Sequence, residues 1–394
     1  MNSEDWARYG ATPEQYALCD AVSALCRRFP PEYWRECDRD KRFPEEFYRA
    51  FADAGFLGIA TPERFGGSGL GIMDAVLVLW LIGRSGAGFT GNSAVHINIF
   101  GMHPVVVHGS DEQRERFLPP VIKGEHRVCF GVTEPDAGLD TSRITTVARR
   151  EGDHYIVNGR KLWTSTAQEA SHILLLARTT PRGSGKRPVD GLSLFYNPLD
   201  RSAVEVRRIP KMGREAVDSN MLFIDGLKIP VENRIGAEGE GFGLILDGLN
   251  PERIVVAAAS VGLGQCALER AARYARERIV FDRPIGANQG IQHPLAEAWI
   301  NLEAAWWLTV NAARRYDAGQ PCGAEANAAK YFAAEAAFKA CETAVLTHGG
   351  MGYAKEYDVE RFARESWIAR LAPVSRQMVL SFIAERVLDQ PRSY

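Results

Sequence analysis

The sequence predicts an α+β protein in which an N-terminal α-helical domain, a middle β domain and a C-terminal α-helical domain follow one another. Apolar residues recur at helical spacing before residue 127 and after residue 236, whereas short alternating or continuous apolar runs fill the segment between. The length of 394 residues suits two or three domains of about 150 residues. We therefore expect domains at residues 1–126, 127–236 and 237–394, the second a β-sandwich or barrel and the third a four-helix-type bundle.

Helices are predicted in the N-terminal domain from periodicity and capping signals. Phe47, Phe51 and Ala54 are spaced by four and three residues, which is typical of an amphipathic helix over residues 45–54. Ser110 is placed to cap a later helix. Further helices are predicted at residues 72–82 and 94–108.

Two dipeptides in the middle domain, Asn158-Gly159 and Asp225-Gly226, lie between apolar runs and predict two-residue hairpin turns. Further strands are predicted at residues 172–177, 192–196 and 204–209, with an exposed loop at residues 180–189. The C-terminal domain is rich in alanine, and glycines separate its apolar segments, which predicts antiparallel helices. These helices are predicted at residues 251–278, 294–317, 324–347, 357–370 and 373–388.

Composition excludes several classes of function. The 47 Lys and Arg residues nearly balance 49 Asp and Glu, so the chain is neither a generally basic nucleic-acid binder nor an acidic disordered protein. The longest apolar run, residues 75–82, is far shorter than the ~18 residues of a membrane span. No charged segment followed by an apolar stretch opens the chain, so we expect a cytoplasmic protein. The seven cysteines form no CxxC pair and the histidines are scattered, so we expect reduced cysteines and no metal site.

Phosphate-binding and hydrolase motifs are missing from the sequence. No Gly-x-Gly-x-x-Gly follows a predicted strand, and Gly185-Lys186 lacks the other residues of a P-loop. No Gly-x-Ser-x-Gly motif is present either. A Rossmann dehydrogenase and an α/β-hydrolase are therefore both disfavoured.

Four longer motifs, taken together and in order, resemble the signatures of acyl-CoA dehydrogenases. The segment at residues 130–140 (FGVTEPDAGLD) resembles the "TEPxAGSD" signature of that family, and residues 158–165 (NGRKLWTS) resemble its "NGxKxWIT" strand. Residues 278–289 match its "RxxFGxxI…Q" stretch, and residues 349–361 match its third signature. The resemblance covers essentially the whole chain, whereas each motif residue taken singly has an ordinary structural alternative.

The resemblance implies that FAD binds between the middle domain and the C-terminal helices, usually in a homotetramer, with a homodimer as the other assembly considered. Residues implied to face the flavin ring are Phe130, Val132, Thr133, Trp163 and Ser165, with Leu139 also near the flavin. Residues implied to hold the remainder of the FAD, in part from a neighbouring subunit, are Arg278, Phe281, Gln289, Gly349, Gly350, Ser375 and Gln377. An aromatic wall with nearby hydroxyl groups suits a planar flavin, and a guanidinium suits its pyrophosphate.

The reaction implied is α,β-dehydrogenation of an acyl-CoA thioester to the trans-2-enoyl-CoA. A glutamate removes the α proton, the β hydride passes to flavin N5, and the electrons go on to an electron-transfer flavoprotein. In medium- and short-chain members the base lies about nine residues after an Arg-Asp pair, and the corresponding position here is Pro373. Isovaleryl and long-chain members place it in a "GLxxER" segment, which matches residues 248–253 and makes Glu252 the candidate base.

Local sequence leaves two structures open around Glu252. Asn250-Pro251 indicates either the cap and first residue of a helix, or a kink in a longer helix that begins near Gly243. Glu252 alone would more simply be a carboxylate at a helix N-terminus. Glu134 is the second candidate for the base, although bracing its own turn is its simpler role.

The substrate pocket is less well defined by the sequence. Arg253, Leu139, Phe100 and Met102 are the candidate substrate-binding residues, the last two at a pocket floor near residues 97–102. The sequence does not determine the chain length, branching or ring character of the acyl group. It also leaves open whether the substrate is a thioester of CoA or of an acyl-carrier protein. Three departures from the family pattern are Leu139 for a serine, Leu346 for a glutamine, and Trp80-Leu81 for an acidic pair.

Three other functions compete with the dehydrogenase. An acyl-CoA oxidase is disfavoured by the length of the chain, because oxidases of this type are commonly much longer. A fold-related flavin monooxygenase and a non-catalytic, nucleic-acid-associated member are the others. The last should carry a basic C-terminal extension, whereas this chain ends at Pro391-Arg392-Ser393-Tyr394 with a net charge of −2.

Overall fold

The computed structural model describes residues 3–393. Helices and one mixed sheet follow one another in the order α, β, α, which confirms the predicted α+β architecture. The predicted domain boundaries lie in the connectors between Ile122 and Val128 and between Ile235 and Gly241. The N-terminal helices are α1 (Ser3–Arg8), α2 (Pro13–Cys26), α3 (Pro31–Asp40), α4 (Glu45–Asp53), α5 (Ile72–Ile82), α6 (Gly88–Phe100), α7 (His103–His108) and α8 (Asp111–Ile122).

One N-terminal prediction needs correction. A single helix was expected over residues 94–108, but α6 begins at Gly88 and ends at Phe100, and α7 starts at His103. The break follows from local chemistry, because His103 precedes Pro104 and proline favours the first turn of a new helix. The predicted cap at Ser110 is present, since its Oγ accepts a hydrogen bond from the backbone N–H of Gln113 at 3.2 Å.

The middle strands form one hydrogen-bonded sheet in the order β6-β7-β3-β2-β4-β5-β8, with β1 added beside β4. The β1–β4 pair is parallel, whereas β2–β3, β3–β7 and β4–β5 are antiparallel. These strands are β1 (Val128–Gly131), β2 (Val147–Glu151), β3 (His154–Ser165), β4 (His172–Arg178), β5 (Leu192–Pro198), β6 (Val204–Arg208), β7 (Ser219–Pro230) and β8 (Arg234–Ile235).

Both predicted hairpin turns are wrong, because β3 and β7 each run through their Asn-Gly or Asp-Gly pair. The register of β3 against β7 shifts between Val157 and Gly159, so the dipeptide forms a bulge and not a turn. Gly226, with φ of 70°, marks the same point on β7, and its N–H donates to Asn158 Oδ1 at 2.9 Å. The two dipeptides therefore pair across the sheet, where they bend both long strands together.

The C-terminal helices pack as an antiparallel bundle. Pro251 lies inside α9, so the second of the two interpretations of this segment is correct and the helix begins well before Glu252. A small hairpin of β9 (Ile279–Val280) and β10 (Arg283–Pro284) follows α9. The helices of this part are α9 (Gly241–Glu277), α10 (Gln289–Asp317), α11 (Gly323–His348), α12 (Val359–Leu371) and α13 (Arg376–Arg386).

The N-terminal helices and the C-terminal bundle share one hydrophobic core. α5 crosses α9 closely at Gly262, where an added Cβ would lie 2.2 Å from the carbonyl oxygen of Trp80. Trp80 is fully buried, its ring lies tilted with its centroid 4.6 Å from that of Trp306, and its Nε1 donates to Gln265 Oε1 at 2.6 Å. The acidic pair of the family pattern is thus replaced here by core packing.

Two helical stretches, Ile72–His108 and Gly241–Glu277, are long and apolar enough to cross a membrane. Most of each stretch is buried inside the protein, as in the core helices of a globular domain. Within residues 3–393, no group of three or more His, Cys, Asp or Glu side chains is arranged to hold a metal ion. All seven cysteines are buried and unpaired.

Candidate active site

A narrow cleft lies where the three parts of the chain meet. α9 forms one wall, the junction of α6 and α7 forms another, and the end of β1 closes the third side. The residues that line it are Phe100, Gly101, Pro104, Phe130, Ile245, Gly248, Leu249 and Glu252. Glu252 is the single ionisable side chain among these eight, so any proton transfer in the cleft falls to it.

Enclosure in the protein determines the acidity of Glu252. Only 8% of its surface is exposed, and burial raises the pKa of its carboxyl to about 8, although the charges of Arg253 and Lys330 act in the opposite direction. A carboxyl with this pKa is a stronger base than a solvated one, and it still ionises near neutral pH. Glu252 is therefore chemically suited to remove a weakly acidic C–H proton.

We expect Glu252→Gln to stabilise the protein more at pH 8 than at pH 5. In the unfolded chain this carboxyl ionises near its ordinary pKa of 4.5, whereas the folded protein holds the proton up to about pH 8. Ionisation of Glu252 therefore lowers the stability of the wild-type protein increasingly as the pH rises between these values, and the glutamine variant lacks this contribution. Thermal unfolding of both holoenzymes at each pH measures this, and an equal difference at the two pH values would contradict it.

Lys330, a residue that the sequence analysis missed, connects Glu252 to the alternative position for the base. Its ammonium group on α11 is buried and donates to the carbonyl oxygen of Val374, next to Pro373. Its charge also acts on the carboxyl of Glu252. The segment at Pro373 and the side chain of Glu252 therefore approach the same cation. A lysine in the middle of the alanine-rich, largely buried α11 was the signal available in the sequence.

A second surface, which we call the aromatic wall, is formed by residues 130–133 and 163–165. Leu162 N–H donates to the carbonyl oxygen of Thr133 at 2.8 Å, which ties the end of β1 to the end of β3. Trp163 lies in a second bulge of β3, between Lys161 and Thr164. It has φ of 60° and is 54% exposed, an uncommon conformation for a bulky residue that often marks a functional site.

A buried ion pair fixes this wall from behind. Lys161 Nζ donates to Glu134 Oε1 at 2.9 Å and to the carbonyl oxygen of Val132 at 3.0 Å. Burial acts to raise the pKa of Glu134, but Lys161 and the hydrogen bonds from Thr145 and Thr146 lower it to about 2. Glu134 is thus held as a carboxylate with its oxygens occupied, which matches the bracing role and removes it as a base.

The structure separates two predicted substrate-binding residues from the cleft lining. Met102 is buried in the apolar cluster that includes Val105 and Phe117, whereas Phe100 lines the cleft. Leu139 is 60% exposed in the loop after the turn at Glu134. Both assignments stay predictions.

Arg253 is held beside Glu252 with unused hydrogen-bonding capacity. Its Nη1 donates to Asn250 Oδ1 at 3.0 Å, and its buried Nε has no partner among residues 3–393. Burial lowers the pKa of this guanidinium, although Glu252 acts in the opposite direction. Arg253 is not among the residues that line the cleft, so its role in substrate binding stays a prediction.

The residues predicted to hold the part of the cofactor beyond the flavin ring lie on the surface of the C-terminal domain. Phe281 is 94% exposed at the tip of the β9–β10 hairpin, and both it and Asp282 have positive φ. Ser375 caps α13, since its Oγ accepts from Met378 N–H at 3.4 Å. The other residues of this set are exposed, namely Arg278, Gln289, Gly349, Gly350 and Gln377.

Comparison with known families and proteins adds an independent finding. The family models described as the N-terminal, middle and C-terminal domains of acyl-CoA dehydrogenase match residues 12–125, 129–227 and 239–388. The acyl-CoA dehydrogenase FadE12 of Mycobacterium tuberculosis is 36% identical over 393 residues, covering 97% of both chains.

Two further similar proteins have names that state a substrate or a partner protein. A subunit of the caffeyl-CoA reductase-Etf complex of Acetobacterium woodii is 34% identical, covering 84% of this chain and 86% of that protein. The solved structure of glutaryl-coenzyme A dehydrogenase with glutaryl-CoA is 30% identical, covers 98% of this chain and 97% of that one, and has a TM-score of 0.92.

Proposed function

The chain belongs to the acyl-CoA dehydrogenase family, and from this membership we propose that Glu252 is its catalytic base. The family consists of oxidoreductases that carry out flavin-dependent dehydrogenation of acyl-CoA thioesters. In the proposed reaction the carboxylate of Glu252 removes the α proton, and the product is the trans-2-enoyl-CoA. The observation that carries the proposal is a single buried carboxyl in an otherwise apolar cleft at the domain junction.

The cofactor is FAD, which supplies the acceptor for the β hydride when it is bound. The described residues fit a flavin, because Trp163 presents an exposed ring in a strained conformation at the aromatic wall. Thr133 and Ser165 are half-buried there and bring hydroxyl groups to the same wall. We propose that these three residues, with Phe130 and Val132, hold the ring system.

The chain's own residues prepare the proton transfer. Phe100 and Leu249 exclude water from the cleft, which strengthens the basicity of Glu252. Gly248 has no side chain, and an added Cβ would meet Pro104 at the ordinary contact distance of 3.8 Å. The proton taken from the substrate is then held on Glu252, where burial stabilises the neutral acid.

We propose an electron-transfer flavoprotein as the acceptor and a homotetramer as the assembly, in the cytoplasm. The named Etf complex of the caffeyl-CoA reductase relative supports the first. Exposed apolar side chains on the bundle support association, because such surface on a folded chain usually marks an interface. Ile300 and Trp307, seven residues apart on one face of α10, are 59% and 45% exposed. The exposed Phe281 would likewise be covered by a neighbouring subunit.

Anaerobic mixing of the purified holoenzyme with a panel of acyl-CoA thioesters tests the function. We expect loss of the flavin absorbance with at least one saturated thioester, and formation of the enoyl product. Oxygen consumption at a rate matching product formation would instead identify an oxidase. Failure of every thioester in the panel to change the flavin spectrum would contradict the proposal.

We expect the rate of flavin bleaching to increase with pH through about 8. The base must be ionised to accept a proton, and Glu252 is a carboxylate above its pKa of about 8 and a neutral acid below it. Single-turnover rates at limiting substrate between about pH 6 and pH 9.5 measure this dependence. A rate independent of pH over that range would contradict a base with a raised pKa.

A further inference from the structure

One face of α6 is polar although the helix lies in the protein core. Asn92 and Ser93 are 3% and 2% exposed, and His96 follows one turn later. Asn92 Oδ1 and His96 Nδ1 are buried with no hydrogen-bond partner among residues 3–393. Buried polar atoms are normally paired, so a cluster of this kind on a core helix needs a structural or functional reason.

His96 has the surroundings of a residue that lines an internal cavity. Every other residue of α6, from Gly88 to Phe100, is buried, whereas His96 keeps accessible surface. Burial lowers the pKa of the imidazole to about 4, with a contribution from Arg214. The ring is therefore neutral at physiological pH, and its accessible surface lies on a helix whose other residues are all buried.

His96 is connected to the cleft of Glu252 through Phe100. The two rings stack with centroids 5.2 Å apart, and residues four apart lie on the same face of a helix. Phe100 lines the cleft together with Glu252. One helical turn is a rise of about 5.4 Å, so His96 lies beyond the cleft residue Phe100 along α6 by about the length of a few methylene groups.

Arg214 adds a cation to the same place from the middle domain. Its guanidinium is buried, and its one hydrogen bond among residues 3–393 runs from Nη1 to Ser93 Oγ at 2.6 Å. Its backbone has φ of 53°, an uncommon conformation for this residue type, and Lys211 Nζ donates to its carbonyl oxygen. The carboxylates of Glu365 and Asp218 act on the charge of this guanidinium, but its hydrogen-bond partner is a neutral hydroxyl, so it retains donors for an oxygen atom.

We propose that His96 and Arg214 select an acyl group whose distal end carries a hydrogen-bonding oxygen, as a hydroxyl or a carboxylate. Arg214 donates to either oxygen type, and the neutral imidazole accepts from a hydroxyl or donates to a carboxylate according to its tautomer. A plain alkyl end would leave these buried polar groups unpaired, which is the usual physical basis of rejection. The inference rests on the proposed function, because it concerns the substrate of the same cleft.

Matched thioesters of equal chain length test the inference. The kcat/KM values of ω-hydroxyacyl-, ω-carboxyacyl- and methyl-terminated acyl-CoA are compared over a series of lengths. We expect one of the two oxygenated series to exceed the methyl series by about tenfold or more at its best length, the effect of a hydrogen bond to a buried or charged group. A preference for the ω-hydroxyacyl series identifies the imidazole as an acceptor, and a preference for the ω-carboxyacyl series identifies it as a donor.

The variant His96→Phe keeps an aromatic ring on Phe100 and removes the ring nitrogens. We expect it to lose most of the preference for the oxygenated series, measured as the ratio of kcat/KM between the oxygenated and methyl series. His154→Phe, at an exposed strand end, serves as the matched control and should keep the wild-type preference. Arg214→Lys, which keeps the charge, should lose less preference than Arg214→Met.

The outcomes separate the inference from the function on which it rests. A wild-type preference for methyl-terminated thioesters, or an unchanged preference in His96→Phe, overturns the inference and leaves the dehydrogenase proposal standing. Lack of turnover with all three series overturns both. Calorimetric titration of Glu252→Gln with the same ligands gives the preference as a ratio of dissociation constants, so slow turnover does not hide it.

Discussion

Glu252→Gln should abolish nearly all dehydrogenation while leaving a folded protein that binds FAD. Glutamine has almost the same shape and occupies the same buried site, but it cannot accept the α proton. Loss of a positioned general base typically costs about 10²–10⁴-fold in rate. The rate of flavin bleaching with the best thioester of the panel measures the loss, and the flavin spectrum of the resting variant checks that the cofactor is bound.

Asp247→Asn is the matched control for this substitution. Asp247 is a carboxylate on the same helix, five residues earlier, but it is exposed and pairs with His108 at 2.8 Å. Its removal should leave the bleaching rate within about twofold of wild type, since exposed pairs contribute little. If Glu252→Gln retained at least half of the wild-type rate, the assignment of the base would be refuted.

Lys161→Met should destabilise the protein strongly and weaken FAD binding at the same time. Lys161 is fully buried, and its loss leaves the carboxylate of Glu134 in the interior without its cation. Removing one partner of a buried ion pair costs about 3–5 kcal/mol. The same ammonium holds the carbonyl oxygen of Val132, so the aromatic wall loses a support. Denaturant unfolding and the FAD dissociation constant measure the two effects.

The double variant Glu134→Gln/Lys161→Met separates the unpaired charge from the lost support. It should recover much of the stability lost in Lys161→Met, because no buried charge is left alone. FAD affinity should recover less, since the contact to Val132 is still missing. If Lys161→Met unfolded at the same denaturant concentration as wild type, the ion pair would not have the role described.

The fold was predictable because helical periodicity is a local property of the chain. The spacing of Phe47 and Phe51 predicts a helix that the structure contains as α4, and the cap at Ser110 is present. The hairpins at Asn158-Gly159 and Asp225-Gly226 were wrong because the same dipeptides also suit bulges, and the choice depends on which strand lies alongside. That partner is determined by tertiary structure.

The candidate site was predictable only where a residue belongs to a contiguous motif. Glu252 could be assigned because it follows Gly248-Leu249 at the spacing of a known segment, and the structure encloses it in an apolar cleft. Arg214 could not be assigned in this way, because it acts through a neighbour that is distant in the sequence. Arg214 meets Ser93 across 121 positions of the chain, a distance that no local pattern reports.

Exchange of the α hydrogens of a bound thioester with deuterium oxide tests the role of Glu252 most directly. The holoenzyme is incubated anaerobically with a saturated acyl-CoA, and deuterium at the α carbon is measured by mass spectrometry. We expect rapid exchange with wild type and Asp247→Asn, and loss of nearly all exchange with Glu252→Gln. Exchange at the wild-type rate in Glu252→Gln would show that another group removes the proton.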